Sequence, residues 1–437
     1  MGEQMKRRRF LAGTGAAAGA LAAGRLATPA VGEPAQHTSR AAQLPAPQDS
    51  GIDHIIVVMM ENRSFDHYLG WLPGADGKQS GLRYKDLNGQ EHGTHRLTTT
   101  TGCGSPDPDH SFEGGRTELN GGACDGWLRA GGNDTFAIGY YKDADLAFFG
   151  QAARDWTVCD RYFSAVMAET YPNRIFQHAA QTDRVHNSLS LASMPTIWDR
   201  LADKRISRRY YFSDVPMTAL WGIKYLDFTR TYSSFVSDAK AGKLPAVSFV
   251  DPRFLAEGTG LSGDDHPHSD IRVGQHFLNG VYEAVTSSPD WERTILVINY
   301  DEWGGFFDHV APPVGPDPRP DLNTGLRGFR VPCLVISPWA RSRVAHGLYD
   351  HTSVLKMIEW RHGLPPLTVR DAAANNLAEV LDFSSAPVIT APRYNVPSVI
   401  SPGCLGDARE THMHAGNGWE TLRDHAASYG FPVRTAR

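Results

Sequence analysis

Only five cysteines occur in 437 residues, and no two form a Cys-x-x-Cys pair. A cysteine-built zinc site therefore has no framework here. A Gly-x-Ser-x-Gly elbow is missing too, which sets aside a serine hydrolase of the nucleophile-elbow type. No His-Glu-x-x-His occurs, which sets aside a zincin. After the first ten residues there is no run of lysine and arginine, and the net charge is a mild −5. Nothing offers a phosphate-tracking face, so nucleic acid is not an expected partner. Past the N-terminus no stretch stays apolar long enough to cross a bilayer. Internal repeats and low-complexity tracts are absent as well, so a solenoid is not expected.

The basic residues that do cluster stand at the start. Lys6-Arg7-Arg8-Arg9-Phe10-Leu11 leads an Ala/Gly-rich apolar stretch to Ala23, and small residues at Thr28-Pro29-Ala30 offer a cleavage site. That order is an export signal, residues 1–30. Its paired arginines resemble a twin-arginine signal, which exports a protein already folded. The fingerprint-like Gly13-Thr14-Gly15 run lies inside this signal with no strand before it, and is a decoy. Residues 31–50 are rich in Pro, Ala and Gln and read as a flexible leader. Five cysteines suit a secreted or envelope protein with one or two disulfides and a leftover thiol. Cys103 and Cys124 flank a Gly/Asp-rich loop and are the expected pair.

From 51 onward strand and helix signals alternate, as in an α/β fold with a largely parallel central sheet and helices on both faces. Strand-like runs are Ile52–Met60, Val158–Phe163, Arg209–Phe212, Ala246–Val250, Thr294–Tyr300 and Val331–Ser337. Helix-like runs are Asp145–Asp155, Arg174–Ala180, Thr196–Asp203, Ile271–Ser287 and Thr352–His362. Ser269 or Asp270 is the N-cap of the fourth helix. One domain spans 51–437, with the tail after about 365 wrapping the core. Two long polar insertions, near 74–135 and 255–270, are expected to act as lids or substrate walls.

Four stretches deliver polar groups from the ends of apolar strands or ahead of helices. The first is Glu61-Asn62-Arg63-Ser64-Phe65-Asp66, where a carboxylate beside a carboxamide suits a divalent cation. Read alone, Asn62 or Ser64 serves equally well as a helix cap. The second is Glu169-Thr170-Tyr171-Pro172-Asn173-Arg174. Thr170 stands ahead of a helix whose N–H groups would favour an anion, and Arg174 could hold a phosphate oxygen or form an ion pair. The third runs from Asp301-Glu302 to Asp308-His309. Adjacent carboxylates at a buried strand end repel unless a cation or shared proton intervenes, and Asp308 and His309 could orient such ligands. The fourth is Asp264-Asp265-His266-Pro267-His268, where a histidine could serve a leaving group. Asp350-His351 is a weaker candidate, since capping explains Asp350.

Taken together, Glu61-Asn62-Arg63-Ser64-Phe65-Asp66, Thr170-Tyr171-Pro172-Asn173-Arg174, Asp301-Glu302-Trp303-Gly304-Gly305 through Pro312, and Gly328-Phe329-Arg330-Val331-Pro332 ending in Ser337-Pro338 resemble the bacterial and plant non-specific phospholipase C family. The respiratory-burst-inhibiting acid phosphatase is a relative within that family. The motifs fall in the family's order over about 51–340. The resemblance implies an alkaline phosphatase-like fold and a secreted phosphoric-ester hydrolase of phospholipase C type, with an acid phosphatase as the alternative. It implies a divalent metal (zinc, calcium or manganese) held by Glu61, Asn62, Asp301 and Glu302. Thr170 would be the nucleophile, phosphorylated in passing, with Arg174 beside it and His266 by the leaving group. A phospholipid or other phosphate ester would be the substrate, met in transient contact with a membrane surface. Two departures border the pocket: Ala168-Glu169 stands where the family often has Gly-Pro, and Trp303 where it often has His.

Overall fold

Ile55 to Met60 carry no polar residue, and in the computed structural model they form the centre of the sheet. The structure describes residues 44–404 and 418–433. The export signal and most of the leader lie outside the described residues. Eight strands build the sheet: β1 (His54–Met60), β2 (Thr157–Cys159), β3 (Arg208–Phe212), β4 (Thr229–Thr231), β5 (Val247–Asp251), β6 (Thr294–Tyr300), β7 (Cys333–Ile336) and β8 (Arg343–Ala345). Their spatial order is β8-β2-β7-β6-β1-β5-β3-β4. Strand β1 pairs in parallel with both β5 and β6, and β3 and β4 continue the parallel run. Only β7 runs against its neighbours β6 and β2. Every residue of β5 and β6 is buried, as a sheet covered on both faces requires. Each such aliphatic side chain contributes about 1.5–3 kcal/mol by leaving water.

Five helices matter for the site: α1 (Phe65–Leu69), α2 (Phe112–Leu119), α3 (Thr170–Ala179), α4 (Ile271–Thr286) and α5 (His351–His362). Asp270 caps α4 by accepting from Arg272 N, and Asp350 caps α5 by accepting from Thr352 N. Helix α3 begins four residues before its apolar pattern does. Pro172 lies in the first turn, where a missing N–H costs nothing. The expected strand Val158–Phe163 is two pieces, because the buried Asp160 between them turns its carboxylate to Asp76 N and His346. Tyr162–Phe163 pairs instead with Tyr349–Asp350.

The expected Cys103–Cys124 bridge is not formed. Cys103 is joined to Cys404, 301 residues away in sequence, with Cα atoms 5.3 Å apart. Cys124 is free and packs into an apolar cluster with Trp127 and Phe329, where burial pushes its thiol up to about 12. After Leu381 the chain runs largely exposed over the surface, tied down by a few side chains. Trp291 Nε1 donates to Ile389 O (2.8 Å), Tyr282 Oη to Pro392 O (2.7 Å) and Trp156 Nε1 to Tyr394 Oη (2.8 Å). Among the described residues no helix is long and apolar enough to cross a membrane.

Candidate active site

Parallel pairing of β1 with β6 places Met60 opposite Tyr300. The residues that follow are therefore neighbours: Glu61 and Asn62 on one strand end, Asp301 and Glu302 on the other. Main-chain bonds extend the ladder past the strands, from Asp301 N to Met60 O (3.1 Å) and from Arg63 N to Glu302 O (3.1 Å). Asn62 N donates to Asp301 Oδ1 (3.2 Å), and Gly304 N donates to Glu302 Oε2 (2.6 Å). Asn62 adopts a left-handed backbone, φ 59°, a conformation asparagine tolerates better than most residues. Ser64 is the α1 cap, accepting from His67 N.

Helix α3 lies over these strand ends, buried along its whole length. Thr170 and Arg174 share one face because they are four residues apart. Arg174 Nε lies 3.1 Å from both Glu61 Oε1 and Asp301 Oδ2, its Nη1 lies 3.5 Å from Asp251 Oδ1, and its Nη2 donates to Met59 O and Met60 O (3.2 Å each). The guanidinium thus faces carboxylates and main chain, where the sequence left a phosphate-facing fork open. The Thr170 hydroxyl is buried and has no hydrogen-bond partner among the described residues. Thr170 is also not the cap of α3: Glu169 occupies that position, without a side-chain cap bond. Tyr171 N is taken by Asn187 Oδ1 (2.7 Å) and Pro172 has no N–H, so the anion cradle expected at this helix start is largely filled.

Both long insertions wall the site. His266 Nε2 lies 3.3 Å from Asp107 Oδ2 and 4.0 Å from Glu257 Oε2, while its Nδ1 is buried and unpartnered. Burial pulls the His266 pKa down to about 3, against the pull of Asp107. His110 Nδ1 lies 2.8 Å from Pro108 O, and its Nε2 lies 3.4 Å from the Asn62 side-chain nitrogen. Burial alone would lower the pKa of His110, but Glu302 and Asp107 hold it up at about 10. Burial raises Glu61 and Asp301 above the usual carboxylate range and pushes Glu302 to about 8. Glu61, Asp251, Glu257, Asp264, Asp301 and Glu302 are all buried here.

So many carboxylates around one guanidinium call for a further positive charge. Asn62 Oδ1 and Glu302 Oε1 are buried oxygens with no partner among the described residues, as is Thr170 Oγ1. Oxygen donors of this kind suit a divalent cation. The acidic atoms that converge here are those of Glu61, Glu257 and Asp264. Asp301 Oδ1, by contrast, accepts from Asn62 N and Glu302 N, and its Oδ2 faces Arg174. Of the expected ligand set, Glu61, Asn62 and Glu302 keep an oxygen without a partner among the described residues.

Residues 52–365 match the model of the phosphoesterase family. This chain belongs to that family. It is 32% identical over 396 residues to non-specific phospholipase C6 of Arabidopsis thaliana, covering 80% of this chain and 75% of the relative. It is 32% identical over 442 residues to phospholipase C B of Mycobacterium tuberculosis, covering 82% and 83% respectively. Among solved structures it is similar to a Vibrio parahaemolyticus protein of the alkaline phosphatase superfamily, with TM-score 0.40, 10% identity, and coverage of 75% and 71%. The phosphoesterase is a hydrolase of phosphoric esters.

Some expected site residues lie elsewhere in the phosphoesterase. Asp308 and His309 do not orient the strand-end acids. Arg330 Nε donates to Asp308 Oδ1 (2.9 Å) and its Nη2 to Asp66 Oδ1 (3.1 Å), while His309 Nδ1 sits 2.5 Å from Asp66 Oδ2. Those groups pair among themselves, so they cross-brace the first and third motifs. Asp350 receives Arg327 Nε (2.6 Å) and Arg370 Nε (3.2 Å), a structural role beside its cap. His110, Asp107, Glu257 and Asp251 were missed by sequence reasoning. The one signal for the first two was a histidine and acids inside a long polar insertion.

Gly304 has φ +65°, and a Cβ there would come within 2.1 Å of Asn62 O. Gly304→Ala must therefore displace Asn62. We expect phosphodiesterase activity to fall about 100-fold, since small misplacements of reacting groups cost that much. Circular dichroism should confirm a folded variant, and near-wild-type activity would refute the placement of Asn62 in the site.

Proposed function

We propose that this phosphoesterase is an exported, metal-dependent phospholipase C that cleaves phosphatidylcholine-type lipids to diacylglycerol and a phosphorylated head group. The observation that carries the reading is the unpartnered Thr170 hydroxyl, borne on the same helix face as Arg174 above a pair of acidic strand ends. The names of the relatives support the substrate class. The N-terminal basic and apolar run supports export in folded form.

Thr170 Oγ1 attacks phosphorus and the diacylglycerol oxygen leaves. The Nδ1 of His266 is unprotonated, because its ring is held neutral by burial with Nε2 turned to Asp107. It takes up the proton released by Thr170 through water in the site and hands it to the leaving oxygen. In the second half it takes a proton from the water that cleaves the phosphothreonine and returns it to the Thr170 oxygen. A divalent cation held by Glu61, Asn62, Asp301 and Glu302 would lower the threonine pKa and polarise a phosphoryl oxygen. Arg174 keeps Glu61 and Asp301 in place. The buried walls exclude bulk water and strengthen these charge interactions.

The decisive experiment is a rate comparison of the purified mature protein on nitrophenyl phosphocholine and nitrophenyl phosphate, with metal content measured alongside. We expect the diester to be the faster substrate, activity to disappear on exhaustive chelation, and a phospholipid panel to release diacylglycerol. A faster monoester would make the protein an acid phosphatase on the same residues. Full activity with no bound metal would defeat the cation.

A further inference from the structure

The turn that carries Glu257 into the site is held from the C-terminal end of the chain. Cys404 N donates to Thr259 O (2.8 Å), and Ser401 Oγ donates to Gly260 O (3.0 Å). Ala256 takes a left-handed backbone, φ 67°, which a β-carbon disfavours, so the turn needs support from outside. Helix α6 (Trp419–Ser428) supplies it. Glu420 Oε1 accepts from Ala256 N (3.3 Å), and Trp419 Nε1 donates to Glu257 Oε1. The Trp419 ring is buried. It stacks on Phe254 at 4.2 Å with the planes 10° apart, and meets Tyr171 edge-on at 5.0 Å. Phe254 in turn lies against the Arg174 guanidinium, whose carbon is 4.6 Å from the ring centre. Trp419 stands beyond residues 52–365, the stretch that matches the family model.

Glu257 turns its other oxygen to the chemistry. Its Oε2 lies 4.0 Å from His266 Nε2, the nitrogen that Asp107 Oδ2 approaches at 3.3 Å. Carboxylates at Nε2 keep the N–H on that side of the ring, and the unpartnered Nδ1 is left to exchange protons. One oxygen of Glu257 also lies within 4.8 Å of an oxygen of Glu61 and of Asp264. Buried acids so close repel one another, and Glu257 keeps its direction against that push because a donor holds it from behind. The indole N–H is such a donor.

We propose that Trp419 is a positioning residue for the reaction. Its indole N–H orients Glu257, which together with Asp107 sets the His266 ring to serve the leaving oxygen. This rests on the His266 step of the phospholipase C reading, and it brings the C-terminal helix into the working site.

The test uses two choline esters that share a head group and differ in the leaving oxygen. Nitrophenolate departs without needing a proton, whereas the glycerol oxygen of dihexanoyl phosphatidylcholine needs one. Trp419→Phe keeps an aromatic ring against Phe254 and removes the N–H. In the metal-loaded enzyme it is expected to lower kcat/KM on the lipid about tenfold, part of what a positioned acid contributes, and on nitrophenyl phosphocholine less than about twofold. An equal fall on both esters would mean that Trp419 only packs α6, and would overturn the proposal. So would wild-type values on both. Replacing Trp419 with 3-benzothienylalanine, which keeps the shape of the indole and lacks its N–H, decides the matter should the smaller ring loosen the helix. A loss confined to the lipid supports the proposal, and a wild-type ratio of the two rates overturns it. Were wild type to cleave monoesters and neither choline ester, the phospholipase C reading would fail. The same ratio taken on glycerol phosphate and nitrophenyl phosphate would then decide the role of Trp419.

Discussion

Thr170→Ala is expected to lower turnover by about 10⁴-fold or more, the scale seen when a covalent nucleophile is removed, and to leave the fold in place. The two halves of that expectation have separate causes. The hydroxyl makes no hydrogen bond to any described residue, so deleting it breaks nothing that holds α3. Its buried, unpartnered state is itself unfavourable by about 1–3 kcal/mol, a cost that a protein tolerates where the group has chemical work to perform. In the proposed mechanism no phosphothreonine then forms, and only the positioning and charge stabilisation of the site remain. Thr170→Ser should keep a measurable rate, since the attacking oxygen is retained. Stopped-flow assays on a chromogenic phosphodiester, with mass spectrometry of acid-quenched enzyme to trap the phosphoryl adduct, check both. Near-wild-type turnover in Thr170→Ala would remove this residue from the mechanism.

Arg174→Met should have the largest effect on stability. The guanidinium lies against Glu61, Asp251 and Asp301, and all four side chains are buried. Removing one partner of a buried ion pair costs about 3–5 kcal/mol, because the charge left behind has neither water nor a counter-ion. Here three carboxylates are left. The total stability of a domain is only about 5–15 kcal/mol, so the cation-free variant is expected to unfold at markedly lower urea or not to fold at all. A divalent cation in excess should recover part of the loss by supplying charge at Glu61 and Asp301. Arg174→Lys should be intermediate, as a lysine keeps the charge but cannot reach carboxylates and two main-chain carbonyls at once. Urea unfolding midpoints with and without added cation decide the matter. A Met variant as stable as wild type would show that the acids are neutralised by bound protons instead.

The two expectations draw on different parts of the molecule's legibility. Runs such as Ile55–Met60 and Ile295–Ile298 have no polar interruption, and the strands and their carboxyl ends were readable from that alone. Caps were equally local: Asp270 and Asp350 start their helices as their side chains predict. Motif resemblance then placed Thr170, Glu61, Asn62, Asp301 and Glu302 in one reading. Local signals failed where the partner lay far along the chain. Cys103 was paired with the nearest cysteine across a loop, whereas the fold brings it to Cys404. Arg174 was left between a phosphate and an ion pair, a choice made by Asp251, Glu61 and Asp301 from three different strands. Asp308 and His309 followed the acidic pair by only a few residues, yet the chain turns at Gly304 and Gly305 and carries them to Arg330.

What the sequence determined by itself was the kind of chemistry: acids and a carboxamide at strand ends, a threonine ahead of a helix, and a histidine in a long loop. Residue type and local periodicity encode those directly. What only the tertiary structure decided was which of these groups meet. Strand β1 takes β6 as its neighbour across some 240 residues, in a register that sets Met60 beside Tyr300. Strand adjacency is selected by the packing of helices on both faces and by crossover connections, and neither leaves a mark in a window of ten residues. The same packing turns Arg174 down onto the acids, leaves the Thr170 hydroxyl without a partner among the described residues, and selects Asp107 and His110 from an insertion whose sequence suggested a wall but not which of its side chains would face the site.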